Sequence, residues 1–88
     1  MAYTYILYSP TLDKYYVGAT RGCLKERIRR HNTQHNGYTG RANDWELMHS
    51  EPFDSIELAM SREREIKGWK RRSAIERLIE KSKGQPTA

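Results

Sequence analysis

The chain has 88 residues, of which 36% are hydrophobic and 31% charged, and a formal net charge of +5. A chain of this length buries only about 60 to 65% of its unfolded surface, which favours one small soluble domain and excludes a separate substrate domain. Its one cysteine, Cys23, excludes an internal disulfide and a cysteine-built zinc site, and the absence of a long apolar run or signal-peptide pattern predicts a cytoplasmic protein.

Two runs of β-branched and aromatic residues, 3–8 and 15–20, flank a segment rich in turn formers and predict a β-hairpin. One position of the turn pairs Tyr5 directly with Tyr16, and a turn centred one residue later makes them diagonal neighbours. Both alternatives place the two phenols on one face of the sheet, because side chains alternate along a strand.

The next element is a helix predicted from about Leu24 to His31 or slightly beyond, which is followed by a polar loop over 32–43. On a helical wheel, Arg27 and His31 share the stripe of the two aliphatic residues, whereas the other cations turn outward. The structural interpretation is that the helix is short and its apolar stripe weak, with Arg27 at the edge of that stripe. Two polar residues one turn apart on that face strengthen the functional interpretation.

A third strand is predicted over residues 45–51, ahead of Pro52, because proline cannot donate to a central ladder. Residues 54–57 match a capping box in which Asp54 takes the place of the usual serine or threonine. They predict that a second helix begins there and continues to about Trp69.

Residues 73–76 are a second capping-box signature and predict a short final helix that ends at about Lys81. Residues 82–88 predict a disordered tail. The order ββ-α-β-α-α then predicts one α+β domain over residues 1–81, a three-stranded antiparallel sheet flanked by helices.

One carboxylate in the second helix occupies an unexpected position. On a helical wheel, Glu63 falls inside the apolar stripe that includes Ile56 and Met60, while Glu65 faces away. A carboxylate on the buried side is costly unless it is paired or binds a metal ion. An ion pair with Lys67, four residues further on and on the same face, is the structural alternative.

The positive charge is concentrated in two blocks. Residues 21–31 hold five Lys/Arg and one acid, and residues 62–72 hold six Lys/Arg and two acids, so each block carries +4 and the rest of the chain −3. Basic helices are often simply solvated faces, but two such blocks on a small protein favour a nucleic-acid partner. The residues predicted to contact it are Arg21, Lys25, Arg30, Lys67 and Lys70.

The polar residues on inward faces supply the parts of a phosphodiester cleavage site, namely a metal ligand, a cation for the phosphate and a proton-handling group. Glu63 offers a hard oxygen ligand suited to Mg²⁺ or Mn²⁺. Arg27 offers a guanidinium for the phosphate. Tyr5, Tyr16 and His31 are proton-handling groups, and each is a candidate general base.

These residues occur in a recognisable order. Tyr3-Thr4-Tyr5 and, eleven residues on from its last tyrosine, Tyr16-Val17-Gly18 resemble the paired tripeptides of the GIY-YIG nucleases. The later Arg27 with His31, and the helix around Glu63, are similar to that family's arginine helix and acidic helix. The stand-alone, single-domain bacterial members are the most similar in organisation. The first tripeptide departs from the family pattern, since only its tyrosine is retained.

The resemblance implies a metal-dependent DNA endonuclease with a GIY-YIG-like fold. In that family's terms, Tyr5 and Tyr16 bind or activate the attacking water, and Arg27 stabilises the phosphate. His31 assists proton transfer or binds phosphate, and Glu63 holds one divalent ion. A chain this small implies low sequence specificity, or specificity supplied by a partner protein or a dimer.

Two other functions are open at this point. A non-catalytic nucleic-acid-binding module would use the basic helices and exposed tyrosines as a binding surface. It leaves Glu63 unexplained, because an acid on that face repels phosphate unless a cation intervenes. A purely structural or protein-interaction domain explains neither the polar stripe nor the two basic blocks.

Overall fold

The computed structural model describes residues 1–33 and 41–83. The elements are β1 (Ala2–Ser9), β2 (Lys14–Thr20), α1 (Leu24–His31), β3 (Glu46–Phe53), α2 (Ile56–Gly68) and α3 (Arg72–Lys83). The predicted element order and α+β class are therefore confirmed. Residues 34–40 of the predicted loop and 84–88 of the predicted tail lie outside the described residues. Across the described ranges, no helix has the length and apolar character needed to cross a membrane.

The sheet has the strand order β2-β1-β3, and both strand pairs are antiparallel. Tyr5 lies opposite Gly18, and Leu7 lies opposite Tyr16. The hairpin therefore takes the second of the two predicted registers, in which Tyr5 and Tyr16 are diagonal neighbours on one face.

The edge strand β3 differs from its prediction, because it continues through Pro52, which lies opposite Tyr3. A proline is tolerated in an edge strand when its nitrogen lies on the unpaired side, so Pro52 does not end the strand. The register of β3 also shifts between the partners of Ile6 and Leu7, where Met48 is an extra residue. This β-bulge interrupts the ladder in the middle of the strand.

Hydrophobic clusters cover both faces of the sheet. On one face, residues of β1 and β2 pack with α2 and α3, and on the other, residues of β1 pack with α1 and with the residue just before β3. The first cluster has Ile6, Val17, Ile66 and Ile79 at its centre, and the second has Tyr5, Leu7 and Trp45, with Leu24 and Ile28 against them. Tyr5 is thus part of the core as well as a candidate functional residue.

The N-terminus of α2 is capped by Ser55 and not by Asp54, so that prediction is wrong by one residue. Ser55 has extended backbone angles, and its Oγ accepts a hydrogen bond from the N–H of Leu58 at 3.3 Å. This geometry is that of an N-cap, and the helix accordingly begins at the next residue, Ile56.

The start of α3 also departs from its prediction, because the helix begins at Arg72 and Ser73 lies within its first turn. The carbonyl of Arg71 accepts the N–H groups of the residues three and four positions on, at 3.1 and 3.4 Å. Lys70, with a φ of 54°, turns the chain between α2 and α3. At its other end α3 continues to Lys83, so residues 82 and 83 belong to the helix and not to the predicted tail.

Candidate active site

The phenol of Tyr5 lies at the centre of the site and is fully buried, with a relative exposure of 0%. Gly18 makes room for it. A Cβ at position 18 would lie 2.6 Å from the Tyr5 Oη and 2.7 Å from its Cζ, closer than real Cβ contacts occur. The glycine of β2 therefore allows the end of the tyrosine ring to lie against the neighbouring strand.

Two residues of α1 contact the hydroxyl of Tyr5. The Tyr5 Oη lies 2.8 Å from the Nε2 of His31, and the Nε–H of Arg27 donates to the same oxygen at 3.2 Å. Since the phenol accepts from Arg27, its own proton is available to His31 when Nε2 is unprotonated. Burial raises the pKa of the Tyr5 phenol above its ordinary value of 10, and the nearby Arg27 opposes that rise only in part.

Tyr16 packs beside this network on the same face of the sheet. Its ring centroid lies 6.4 Å from that of Tyr5, 4.9 Å from that of His31 and 6.3 Å from that of Trp45. Tyr16 is half-buried, whereas Tyr5 is fully buried. Of the two phenols, Tyr16 is therefore the more accessible to solvent.

The polar stripe of α1 is confirmed. His31 is only 6% exposed and Arg27 is half-buried, while Arg29 and Arg30 are exposed. The helix is held in place after its last residue by Asn32, whose Oδ1 accepts from the N–H of Trp45 at 2.7 Å and whose Nδ2 donates to the Trp45 carbonyl at 3.1 Å. This two-way link fixes the end of the helix where His31 faces the phenol of Tyr5.

In α2 the predicted stripe is only partly correct. Ala59 and Ile66 are fully buried, but Met60 is 42% exposed, so the buried face is centred further round the helix than predicted. The side chain of Glu63 is 19% exposed and lies at the edge of that face, whereas Glu65 is 58% exposed and faces away as predicted. The wheel therefore separates the two glutamates correctly.

Lys67 links α2 to the tyrosines. Its Nζ lies 3.4 Å from a carboxylate oxygen of Glu63, so the ion pair considered from the sequence is present, and it lies 5.8 Å from the ring centroid of Tyr16. The Lys67 side chain is 51% exposed. An exposed pair of this spacing contributes only about 0.3 to 0.5 kcal/mol, so Glu63 can exchange this partner for another cation at little cost.

The predicted nucleic-acid contacts are distributed over several parts of the described surface. Arg21 and Arg30 line a shallow pocket of about 330 Å³ together with Arg27, and Lys67 lies against Tyr16. The other two predicted residues, Lys25 and Lys70, are exposed on α1 and in the turn after α2.

The carboxylate at position 63 fits a metal site that protein side chains complete only in part. In residues 1–33 and 41–83 there is no cluster of three or more His, Cys, Asp or Glu that would form a complete cage. Mg²⁺ is commonly held by one or two carboxylates together with waters and substrate phosphates, which is the arrangement one half-buried glutamate would support.

Two structural roles in the site were missed from the sequence. The contact of Lys67 with Tyr16 depends on how α2 packs on the sheet, and no local pattern indicates it. The link from Asn32 joins residues 13 positions apart, so it too depends on tertiary packing and has no local signal.

The fold and the matching family together define a nuclease domain. The family model described as the GIY-YIG catalytic domain matches residues 1–77. The chain therefore belongs to the GIY-YIG family, whose nucleases act on DNA and generally depend on a divalent metal ion. Comparisons with curated proteins and with solved structures gave no significant match.

Proposed function

We propose that this protein is a divalent-metal-dependent DNA endonuclease that hydrolyses phosphodiester bonds. The observation that supports this best is the position of the Tyr5 hydroxyl, which contacts Arg27 and His31 at once. A cation, an imidazole and a second phenol, that of Tyr16, lie within one small volume, with the carboxylate of Glu63 linked to them through a single lysine. These are the groups that phosphodiester hydrolysis requires.

Arg27 is assigned to the scissile phosphate. Its Nε–H is used by Tyr5, while its two terminal nitrogens make no hydrogen bond to any other described residue. A guanidinium held at one nitrogen presents the others in a fixed direction, which suits the binding of two phosphoryl oxygens. Tyr5 is thus a positioning residue, which orients Arg27 and His31 from inside the core.

Tyr16 is assigned to the attacking water, because its phenol is the one that solvent can approach. As the water oxygen bonds to phosphorus, the bond to the leaving sugar oxygen breaks. The proton that the water gives up passes to the imidazole of His31, which packs against Tyr16, and the leaving sugar oxygen takes up a proton from solvent. Glu63 would hold the divalent ion, which when bound polarises the phosphoryl oxygens and offsets their growing negative charge.

The test is incubation of supercoiled, linear and single-stranded DNA with the protein and Mg²⁺ or Mn²⁺. We expect at least one of these DNAs to be cleaved. Glu63→Ala should lower the rate by about 10²-fold or more while DNA binding is retained, because one transition-state interaction is removed and the basic surface is unchanged. Glu65→Ala, on the outward side of the same helix, is the matched control and should cleave at the wild-type rate.

Two results would contradict the proposal. A pure preparation that binds DNA but nicks none of the three forms would indicate the non-catalytic binding module. Equal rates for Glu63→Ala and Glu65→Ala would remove Glu63 from the reaction, even if cleavage itself occurs.

A further inference from the structure

A groove of about 460 Å³ lies between β2, α2 and the start of α3, and Tyr16 and Lys67 of the candidate active site are part of its wall. Its apolar lining includes Val17, Ile66 and Ile75. The charged lining has five cations and one acid, which are Lys14, Lys67, Lys70, Arg71, Arg72 and Asp13.

Two of these cations already have anionic partners. Arg72 pairs with Asp13 at 2.6 Å and with Glu76 at 3.1 Å, and Lys67 pairs with Glu63. The other three, Lys14, Lys70 and Arg71, are exposed and form no ion pair with any described residue. Three unpaired cations along one groove attract a polyanion to it.

The backbone at Lys70 explains how two of these cations come to the groove. Its φ of 54° lies in the left-handed region, a common way for a helix to end. The turn that follows α2 places Lys70 and Arg71 on the wall of the groove.

We propose that this groove binds the DNA strand on one side of the scissile phosphate, with Lys14, Lys70 and Arg71 contacting successive phosphates. The proposal rests on the proposed function, since the groove begins at Tyr16 and Lys67. The proposal adds Lys14 and Arg71 to the predicted DNA-binding residues. It also gives the path of the DNA strand, which runs from the edge of the sheet towards α3. The apolar lining faces the sugars and bases between the phosphates.

The test compares two triple variants with the same change in net charge. The groove variant is Lys14→Gln, Lys70→Asn and Arg71→Gln, in which asparagine suits the left-handed backbone. The control variant is Arg64→Gln, Arg77→Gln and Lys81→Gln. These three are exposed cations of α2 and α3 that do not line the groove and form no ion pair with other described residues.

The probes are a fluorescein-labelled DNA single strand of about 20 nucleotides and the matching duplex, which are long enough to span a site of this size. Fluorescence anisotropy in EDTA gives the affinity between about 50 and 200 mM NaCl. The groove variant should bind at least about tenfold more weakly at the lower salt concentration, and the slope of log K against log salt should fall by about 2 to 3. The control should change the slope by less than about 1.

Equal slopes for the two triple variants would contradict the proposed binding of DNA in the groove, because the cations would then act only through net charge. Binding in EDTA is independent of cleavage. If binding depends on the groove but the protein never cleaves DNA, the proposed nuclease function is wrong and groove binding stands. If the protein cleaves DNA but the groove variant has the wild-type slope, only the proposal of groove binding is wrong. Urea unfolding shows whether both triple variants are folded. If the groove variant is unfolded, the single variants Lys14→Gln and Arg71→Gln are used for the same comparison.

Discussion

Three glycines in the described part of the chain differ in what an added methyl group would meet. At Gly18 a Cβ would meet the hydroxyl and ring of Tyr5, whereas at Gly22 and Gly68 it would meet nothing within 4 Å. The phenol of Tyr5 cannot simply move aside, because it is fully buried and its hydroxyl is bonded to His31 and Arg27. A side chain at position 18 therefore acts directly on the candidate active site.

Gly18→Ala should displace the Tyr5 ring and with it the partners of its hydroxyl. We expect the free energy of unfolding to fall by about 1 to 3 kcal/mol, the usual cost of overpacking. DNA cleavage should fall by about 10²-fold, because a displacement of about 1 Å misplaces the reacting groups. Urea unfolding and a nicking assay measure the two effects.

The matched variant is Gly22→Ala, which should leave both the stability and the cleavage rate close to those of the wild type. A Gly18→Ala protein that cleaves at the wild-type rate would show that the position of the Tyr5 phenol is not critical.

The side of an element on which a residue lies was predictable from the sequence where the periodicity of a helix or strand alone determines it. The wheel of α1 placed Arg27 and His31 on the inner face correctly. The helical wheel of α2 placed Met60 on the buried face, whereas Met60 is exposed. The buried face of a helix is set by the element against which it packs, and the sequence of α2 alone does not describe the sheet. The hydrogen bond between Tyr5 and His31 joins residues 26 positions apart, and no local pattern specifies such a contact.

Between elements, the tip of the hairpin is tied to α3 by a small polar cluster. The Nη2 of Arg72 and the hydroxyl of Tyr8 both donate to an oxygen of Asp13 at 2.6 Å. Arg72, and after it Tyr8, hold the pKa of the Asp13 carboxyl at about 2, compared with an ordinary value of 3.8. Because the folded state favours the charged carboxylate, this cluster stabilises the fold above pH 3.8 and is lost as the pH falls towards 2.

Asp13→Asn isolates that contribution, because asparagine tolerates the left-handed backbone at position 13, where φ is 53°. The wild type should be more stable than the variant above the ordinary pKa of 3.8, and the difference should shrink as the pH falls towards about 2. Urea midpoints measured across this range give the difference directly.

Glu80→Gln, which changes an exposed carboxylate of α3, is the control and should follow the wild-type curve throughout. A stability difference between Asp13→Asn and the wild type that does not vary with pH would contradict the assignment to Asp13 ionisation.

The elements themselves were largely predictable, whereas their ends and mutual ties were not. The extent of α1, Leu24–His31, agrees with its approximate prediction, because a polar stretch rich in turn formers follows the helix. Asp54 and Ser55 are both good caps, and only the backbone angles of the folded chain select Ser55. The tie between Asp13 and Arg72 spans 59 positions, so it depends on how α3 packs against the hairpin.

At the scale of the whole molecule, the site and the core share residues. Tyr5 belongs to the buried cluster with Leu7 and Trp45, and its hydroxyl also organises the candidate active site. The α+β class was predictable because it follows from element order and a few packing rules. The convergence of β1, β2, α1 and α2 on one site depends on the register and on the faces that the helices cover. The sequence left two registers open, and the fold selects one of them.

The edge strand β3 has a consequence for the protein at high concentration. A free strand edge with unpaired N–H groups can template pairing with a second chain and lead to aggregation or fibres. The proline at position 52 removes one of these donors, and the bulge at Met48 twists the strand out of the flat shape that pairing requires. Together they oppose edge-to-edge assembly.

Pro52→Val should restore the donor and raise the β-propensity of the edge. We expect faster growth of light scattering and of thioflavin fluorescence on mild heating than in the wild type. Ser50→Val, an exposed position of the same strand, adds similar hydrophobicity without restoring a donor and should aggregate more slowly than Pro52→Val. Equal aggregation of the two variants would mean that surface hydrophobicity, and not the blocked edge, governs the colloidal behaviour of this small nuclease domain.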